Sequence, residues 1–242
     1  MSGQRVGVVG DEQLAGAVEA VGCVAVAGDP ASLEGVEFVL ASGDDAVVEL
    51  ARSGLDAPAL IVDGGESLPA VSPDRVETAL ARILGGDTTV EGHPIVSVSG
   101  SFGSIEAVFD VALMAAEPAR ISEFSVAGPG GRIMQFRADG VVASTPAGSG
   151  GYNRRAGGPV VAAGEGVASV VPVAPFSTSA AHWILPIESV ELAVERDETP
   201  VELLVDGRRE RRIDPHDSLT LSVVDTLEVY ALPELDGRTR RD

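Results

Sequence analysis

Residues 139–161 read DGVVASTPAGSGGYNRRAGGPVV, and the reading of the whole chain turns on them. The stretch opens with Asp139-Gly140 and runs through a short apolar strand at 141–143. It then breaks into Thr145-Pro146, Gly148, Gly150, Gly151 and Gly157-Gly158-Pro159. Glycine at this density suits neither helix nor strand, because each loses more backbone freedom on folding than any other residue. What it permits is close approach of backbone N–H groups to an anionic ligand. Ser149, Tyr152, Asn153, Arg154 and Arg155 add side-chain donors to the same stretch. Composition alone fits equally well a Gly-rich hairpin connection that binds nothing.

Outward from this stretch the chain has two textures. Before residue 88, apolar runs at 5–9, 23–27, 38–41 and 59–62 alternate with helical patterns at 12–21, 45–52 and 73–84. Strands alternating with helices predict β-α-β units and a parallel sheet, hence a Rossmann-like α/β domain over 1–87. Ser72 is placed to cap the third helix and Gly85-Gly86-Asp87 to end it. Beyond residue 88, short β-rich runs dominate, at 95–99, 108–114, 121–126, 133–136, 141–144, 167–173, 189–194, 201–205, 218–223 and 226–231. Gly, Pro, Asp and Asn turns separate them, which predicts an all-β sandwich over 88–235. Val205-Asp206-Gly207-Arg208 reads as a hairpin turn, and 236–242 as a disordered tail.

The charge is extreme: 17 basic against 37 acidic residues give a net −20, and every basic residue is arginine. Such a surface repels nucleic acid and anionic membranes, so neither is an expected partner. Self-repulsion of this size is best tolerated where salt screens it, which points to the cytoplasm of a halophile. The start of the chain enters a strand without the apolar core of a secretory signal. No apolar run approaches the roughly 20 residues of a membrane helix. The absence of lysine excludes a GxxxxGK phosphate loop and a Schiff-base mechanism. His93, His182 and His216 lie too far apart in sequence for metal-ligand spacing, and Cys23 sits in an apolar run as a core residue. Ser149 lacks the GxSxG context of a hydrolase nucleophile.

A second station is FVLASGDDAVVEL at 38–50, where a strand ends at Ser42-Gly43 and Asp44 and Asp45 open a helix. Acidic side chains beside free N–H groups can hold a hydroxyl, a metal or phosphates. They can equally be plain helix caps.

Together these stretches resemble the NAD kinase family, whose central signature runs DG-apolar-TPTGSTAY-(S/N)LSAGGP. Asp139, Gly140, Thr145, Pro146, Gly148, Ser149, Tyr152, Asn153, Ala156, Gly157, Gly158 and Pro159 match it in register. Ser42 to Ala46 is similar to the family's GGDGT, and AVFDVAL at 107–113 to its ALN(E/D)V segment. The sequence departs at Asp45, where the family has Gly, and at Phe109, where it has Asn. It departs again at Gly150-Gly151 for Thr-Ala and at Arg154-Arg155 for Leu-Ser.

The resemblance implies phosphoryl transfer from ATP, or from polyphosphate as in some members, to the 2′-hydroxyl of NAD, with Mg²⁺ or another divalent cation. It makes Asp44 the general base and places Gly43 and Asp45 beside it. Asp110 then accepts hydrogen bonds from a ribose or adenine, and Phe109 stacks on a base. The nucleotide contacts are completed by Asp139, Thr145, Gly148, Ser149, Gly150, Gly151, Tyr152 and Asn153. Arg120, Arg137, Arg154, Arg155 and Arg208 form a basic set for phosphate. Family members are homo-oligomers, so a homodimer or homotetramer is implied. The departures leave a second reading open, a nucleotide-binding sensor or a kinase for another acceptor.

Overall fold

The computed structural model describes residues 3–64, 67–117, 120–176 and 182–235. The expected tail at 236–242 lies outside the described residues. The chain divides into two compact units, one running to His93 and taken up again from Leu227, the other spanning Pro94–Thr226.

In the first unit β1 (Arg5–Val9), β2 (Val24–Ala27), β3 (Phe38–Ser42), β4 (Ala59–Val62) and β5 (Ala70–Val71) are all parallel. The order across the sheet is β2-β1-β3-β4, with β5 on β4. β4 is buried at every residue, as a strand covered on both faces must be. Connections run through α1 (Ala15–Ala20), α2 (Gly43–Ser53) and α3 (Val76–Leu84). The first and third expected helices begin with a 3-10 turn, Glu12–Leu14 and Pro73–Arg75. Ser72 occupies the cap position of the latter, but its side chain makes no capping bond there. Val229, in the last strand of the chain, pairs parallel with Ala59 of β4. Leu232 and Leu235 join the core made by Val6, Leu40, Leu60, Val76 and Leu80, and Cys23 is part of it.

The second unit is antiparallel. One sheet has the order β13 (Trp183–Pro186), β12 (Val167–Val173), β11 (Gly140–Ser144), β8 (Asp110–Ala115), β15 (Val201–Val205), β16 (Arg208–Ile213). Facing it are β10 (Gly131–Ala138), β9 (Ser122–Gly128), β14 (Glu191–Arg196), the first part of β17 (Ser218–Ala231), and the hairpin of β6 (Thr89–Gly100) and β7 (Gly103–Ala107). Val111, Leu113, Val141, Val170 and Leu203 from the first sheet pack with Phe124, Val126, Leu192 and Val194 from the second in one core. This is the sandwich that the alternating runs predict. The expected run 108–114 becomes β8, starting only at Asp110, β7 before it is an additional strand, and the runs 218–223 and 226–231 are the single strand β17.

The outward face of the first sheet carries Asp110, Ala112 and Met114 from β8. Cross-strand pairing sets Ser144 beside Asp110 and Val142 beside Ala112. A small apolar cluster of Ala112, Val142 and Val171, with Met114, Tyr152 and Ala156 packed on it, lies on this face.

Candidate functional site

The Gly-rich stretch covers that outward face. β11 ends at Ser144, the chain turns at 145–148, and Ser149–Asn153 forms one wide helical turn. Three buried polar side chains hold the loop. Thr145 Oγ1 donates to the Val108 carbonyl at 2.6 Å. Ser149 Oγ donates to the Pro146 carbonyl at 2.8 Å and accepts the Val161 N–H at 2.9 Å. Asn153 Nδ2 donates to the carbonyls of Ser149 (3.0 Å) and Pro159 (2.8 Å). The expectation that Ser149 and Asn153 offer donors to a ligand is therefore corrected. Both side chains are fully buried and their hydrogens are taken up inside the loop, so they are its frame. Gly148 is required by contact: a Cβ there would overlap the Phe109 carbonyl.

What the frame presents is Tyr152, Arg154 and Arg155. Arg154 and Arg155 are exposed, while Tyr152 is half-buried against Met114, with its hydroxyl 4.0 Å from Sδ. The half-buried Asp110 carboxyl is pushed up to about 6, first by burial and then by the charge of Asp206, with Arg155 pulling the other way. Burial also raises the Tyr152 phenol, and the charges of Asp110 and Asp139 add to this while Arg155 opposes. Arg155 thus acts on Asp110, and Asp110, Arg155 and Asp139 all act on Tyr152. A carboxylate acceptor, a guanidinium and an aromatic face are what binding a sugar, a phosphate and a base requires.

The residues preceding Asp110 differ in role from the expectation. The Phe109 side chain is half-buried, but its backbone is the anchor, since its carbonyl accepts the Thr145 N–H at 2.9 Å. The Phe109 N–H donates to Asp206 Oδ1 at 2.7 Å. Asp206 escaped the sequence reading, which took it as a turn residue; Asp-Gly between two strands carries no mark of a partner so distant in the chain.

In the first unit, Gly43 takes φ +80 where β3 passes into α2, a conformation that favours glycine. Asp44 and Asp45 follow in the first turn and are exposed. A carboxylate there sits at the positive end of the helix dipole.

Comparison with known proteins settles the family. The profile of the ATP-NAD kinase C-terminal domain matches residues 110–229. The NAD kinase of Methanosarcina acetivorans is 33% identical over 195 residues, 78% of this chain and 70% of that protein. The chain belongs to the NAD kinase family. The NAD kinase of Pyrococcus furiosus is 30% identical over 193 residues, covering 77% of this chain and 69% of that protein. In fold, an Archaeoglobus fulgidus NAD kinase solved in complex with ATP superposes with TM-score 0.78 at 22% identity, over 96% of both chains. Yeast NADH kinase complexed with NADH gives TM-score 0.78 at 17% identity, over 98% of this chain and 86% of that one.

The protein is accordingly an enzyme of the NAD kinase type, a phosphotransferase. The residues that set this sequence apart from the expected motifs have places in the fold. Asp45 adds a second exposed carboxylate to the first turn of α2. Arg155 brings a charge that acts on both Asp110 and Tyr152. Of the other expected arginines, Arg120 is drawn to Glu117 at 3.5 Å. Arg137 is exposed near the end of β10, and Arg208 is half-buried at the start of β16. Among the described residues no group of three His, Cys, Asp or Glu can hold a metal. None of their helices is long and apolar enough to cross a membrane.

Proposed function

We propose that this NAD kinase family member transfers the γ-phosphoryl group of ATP to the 2′-hydroxyl of NAD, forming NADP. The observation that carries the reading is the grouping of Asp110 at the start of β8 with Tyr152 and Arg155 from the loop that Thr145, Ser149 and Asn153 hold in place. An ionised Asp110 accepts hydrogen bonds from ribose hydroxyls, Arg155 offsets phosphate charge, and Tyr152 offers a flat face. Asp139, the backbone of the Gly-rich loop framed by Thr145, Ser149 and Asn153, and the other arginines are assigned to the same nucleotide. Asp44 is the proposed base: it takes the proton of the acceptor hydroxyl as oxygen bonds to phosphorus and the bond to the β-phosphate oxygen breaks. The divalent cation is proposed to arrive on the ATP phosphates as part of the substrate. When bound it neutralises phosphate charge.

The division at 87/88, a salt-rich cytoplasm and a homodimer or homotetramer remain parts of this proposal. The charge of −20 supports the second, and the exposed Ile133, Met134 and Ile184 on outer strands of the second unit support the third.

The test is NADP formation by the purified protein in molar KCl with ATP, a divalent cation and NAD, alongside calorimetric binding of NAD and NADP. Turnover is the expected result. A second reading, a nucleotide sensor or a kinase for another acceptor, is favoured by Asp45, whose charge beside phosphates adds repulsion. Tight binding without turnover would select the sensor, and absence of both the altered acceptor.

A further inference from the structure

Asp206 lies at the tip between β15 and β16 with φ +50, in the left-handed region that Asp tolerates better than most residues. A turn needs nothing more from it. Yet its carboxylate accepts N–H groups of a segment 96 to 98 positions away: Phe109 at 2.7 Å, Val108 at 3.2 Å and Asp110 at 3.2 Å. Its own N–H donates to the Asp110 carbonyl at 2.9 Å. The carbonyl of Phe109 in turn receives the Thr145 N–H at the entrance to the Gly-rich loop. One side chain thereby ties together the turn before Asp110, the hairpin tip and, at one remove, the loop.

We propose that Asp206 is a positioning residue for the nucleotide site, fixing where Asp110 stands and placing a second carboxylate beside it. The inference rests on the reading that Asp110 meets the nucleotide. The charged groups acting on Asp110 are Asp206 from the hairpin tip, which favours its protonation, and Arg155 beyond the wide helical turn, which opposes it. Tyr152 lies beside it, and Asp139 at the start of β11 acts on Tyr152. Burial is the largest influence and Asp206 the second, which together place the Asp110 transition at about 6. Below that pH the carboxyl holds a proton and has lost acceptor strength. A ligand that donates to it should therefore bind progressively less well as pH falls.

The experiment follows binding of NAD, which carries no group titrating in this range, by calorimetry from about pH 5 to about pH 8 in the wild type, D206N, D206E and D110N. The Asp110 carboxyl is followed by carbon-13 NMR without nucleotide, assigned by its loss in D110N. In the wild type, binding weakens as pH falls through the Asp110 transition. D206N moves the transition down by about half a unit or more, in both measurements, because a like charge has been removed. At about pH 8 it binds within about tenfold of wild type, since the amide oxygen still accepts the Phe109 N–H. D206E keeps the charge and leaves the transition in place, which serves as the comparison if D206N does not fold. D110N shows no transition. An unmoved Asp110 resonance in folded D206N, or a displaced one in D206E, would overturn the proposal. So would a loss of binding in D206N that is uniform across pH, which is the mark of a purely structural role. Failure of the nucleotide reading shows differently, as a wild type that binds neither NADP nor NAD; the NMR titration still decides the link between Asp206 and Asp110.

Discussion

Ser169 Oγ donates to Asn153 Oδ1 at 2.9 Å, linking the middle of β12 to the Gly-rich loop above it. With its two amide hydrogens also engaged, Asn153 satisfies every polar atom of its side chain while fully buried. Asn153→Ala leaves two carbonyls and a hydroxyl without their partner. The expected cost is about 3 kcal/mol of stability, read by urea unfolding, with a matching loss of NAD affinity because the loop is no longer held. Unchanged stability would mean that water replaces the amide.

Gly148 has unexceptional backbone angles (φ −91, ψ −7), so contact alone demands glycine. Gly148→Ala pushes a methyl group into the Phe109 backbone and should destabilise by about 1–3 kcal/mol. Gly166→Ala, exposed and with nothing within 4 Å of its Cβ, should be neutral. Thermal unfolding of the two variants separates the contact from any general effect of losing a glycine.

Asp44→Asn preserves the shape of the first turn of α2 and removes the proposed base. Turnover is expected to fall about a hundred- to ten-thousand-fold, with the calorimetric affinity for NAD almost unchanged. Turnover near that of the wild type would remove Asp44 from the chemistry.

The Asp110 carboxyl, raised to about 6 from the ordinary 3.8, holds its proton more tightly in the folded protein than in the unfolded chain. Its contribution to stability is therefore complete below about pH 4 and is lost as pH rises through about 6. Without nucleotide, the stability of Asp110→Asn relative to the wild type should be greater at about pH 8 than at about pH 4. Urea unfolding across that range checks the sign.

Much of this was legible in the sequence. The continuous apolar runs of β1, β3 and β4, separated by helical spacing, mark a parallel sheet, and Asp44 and Asp45 fall at the start of α2 as their pattern implies. The strand β16, RRERRI, was not legible, because four of its six residues are exposed and it lacks apolar alternation. β13 was missed as well, being four residues long with alternate positions exposed. At the site, residue types were readable but their direction was not. Ser149 and Asn153 carry the donors that a ligand loop needs, and only the packing of β12 and the 159–161 segment shows that those donors point inward. The tie from Asp206 to Phe109 is non-local, and local pattern does not record it.

The first unit recruits Leu232, Leu235 and the pairing of Val229 with Ala59 from the far end of the chain. On a ribosome this inverts the usual order in which the N-terminal part of a chain folds first. The nascent parallel sheet must wait, incomplete, until the segment from Leu227 to Leu235 has emerged. The continuous segment Pro94–Thr226, by contrast, has all of its own core residues as soon as it emerges. A chain that stalls late in translation would thus hold a finished sandwich and an unfinished sheet.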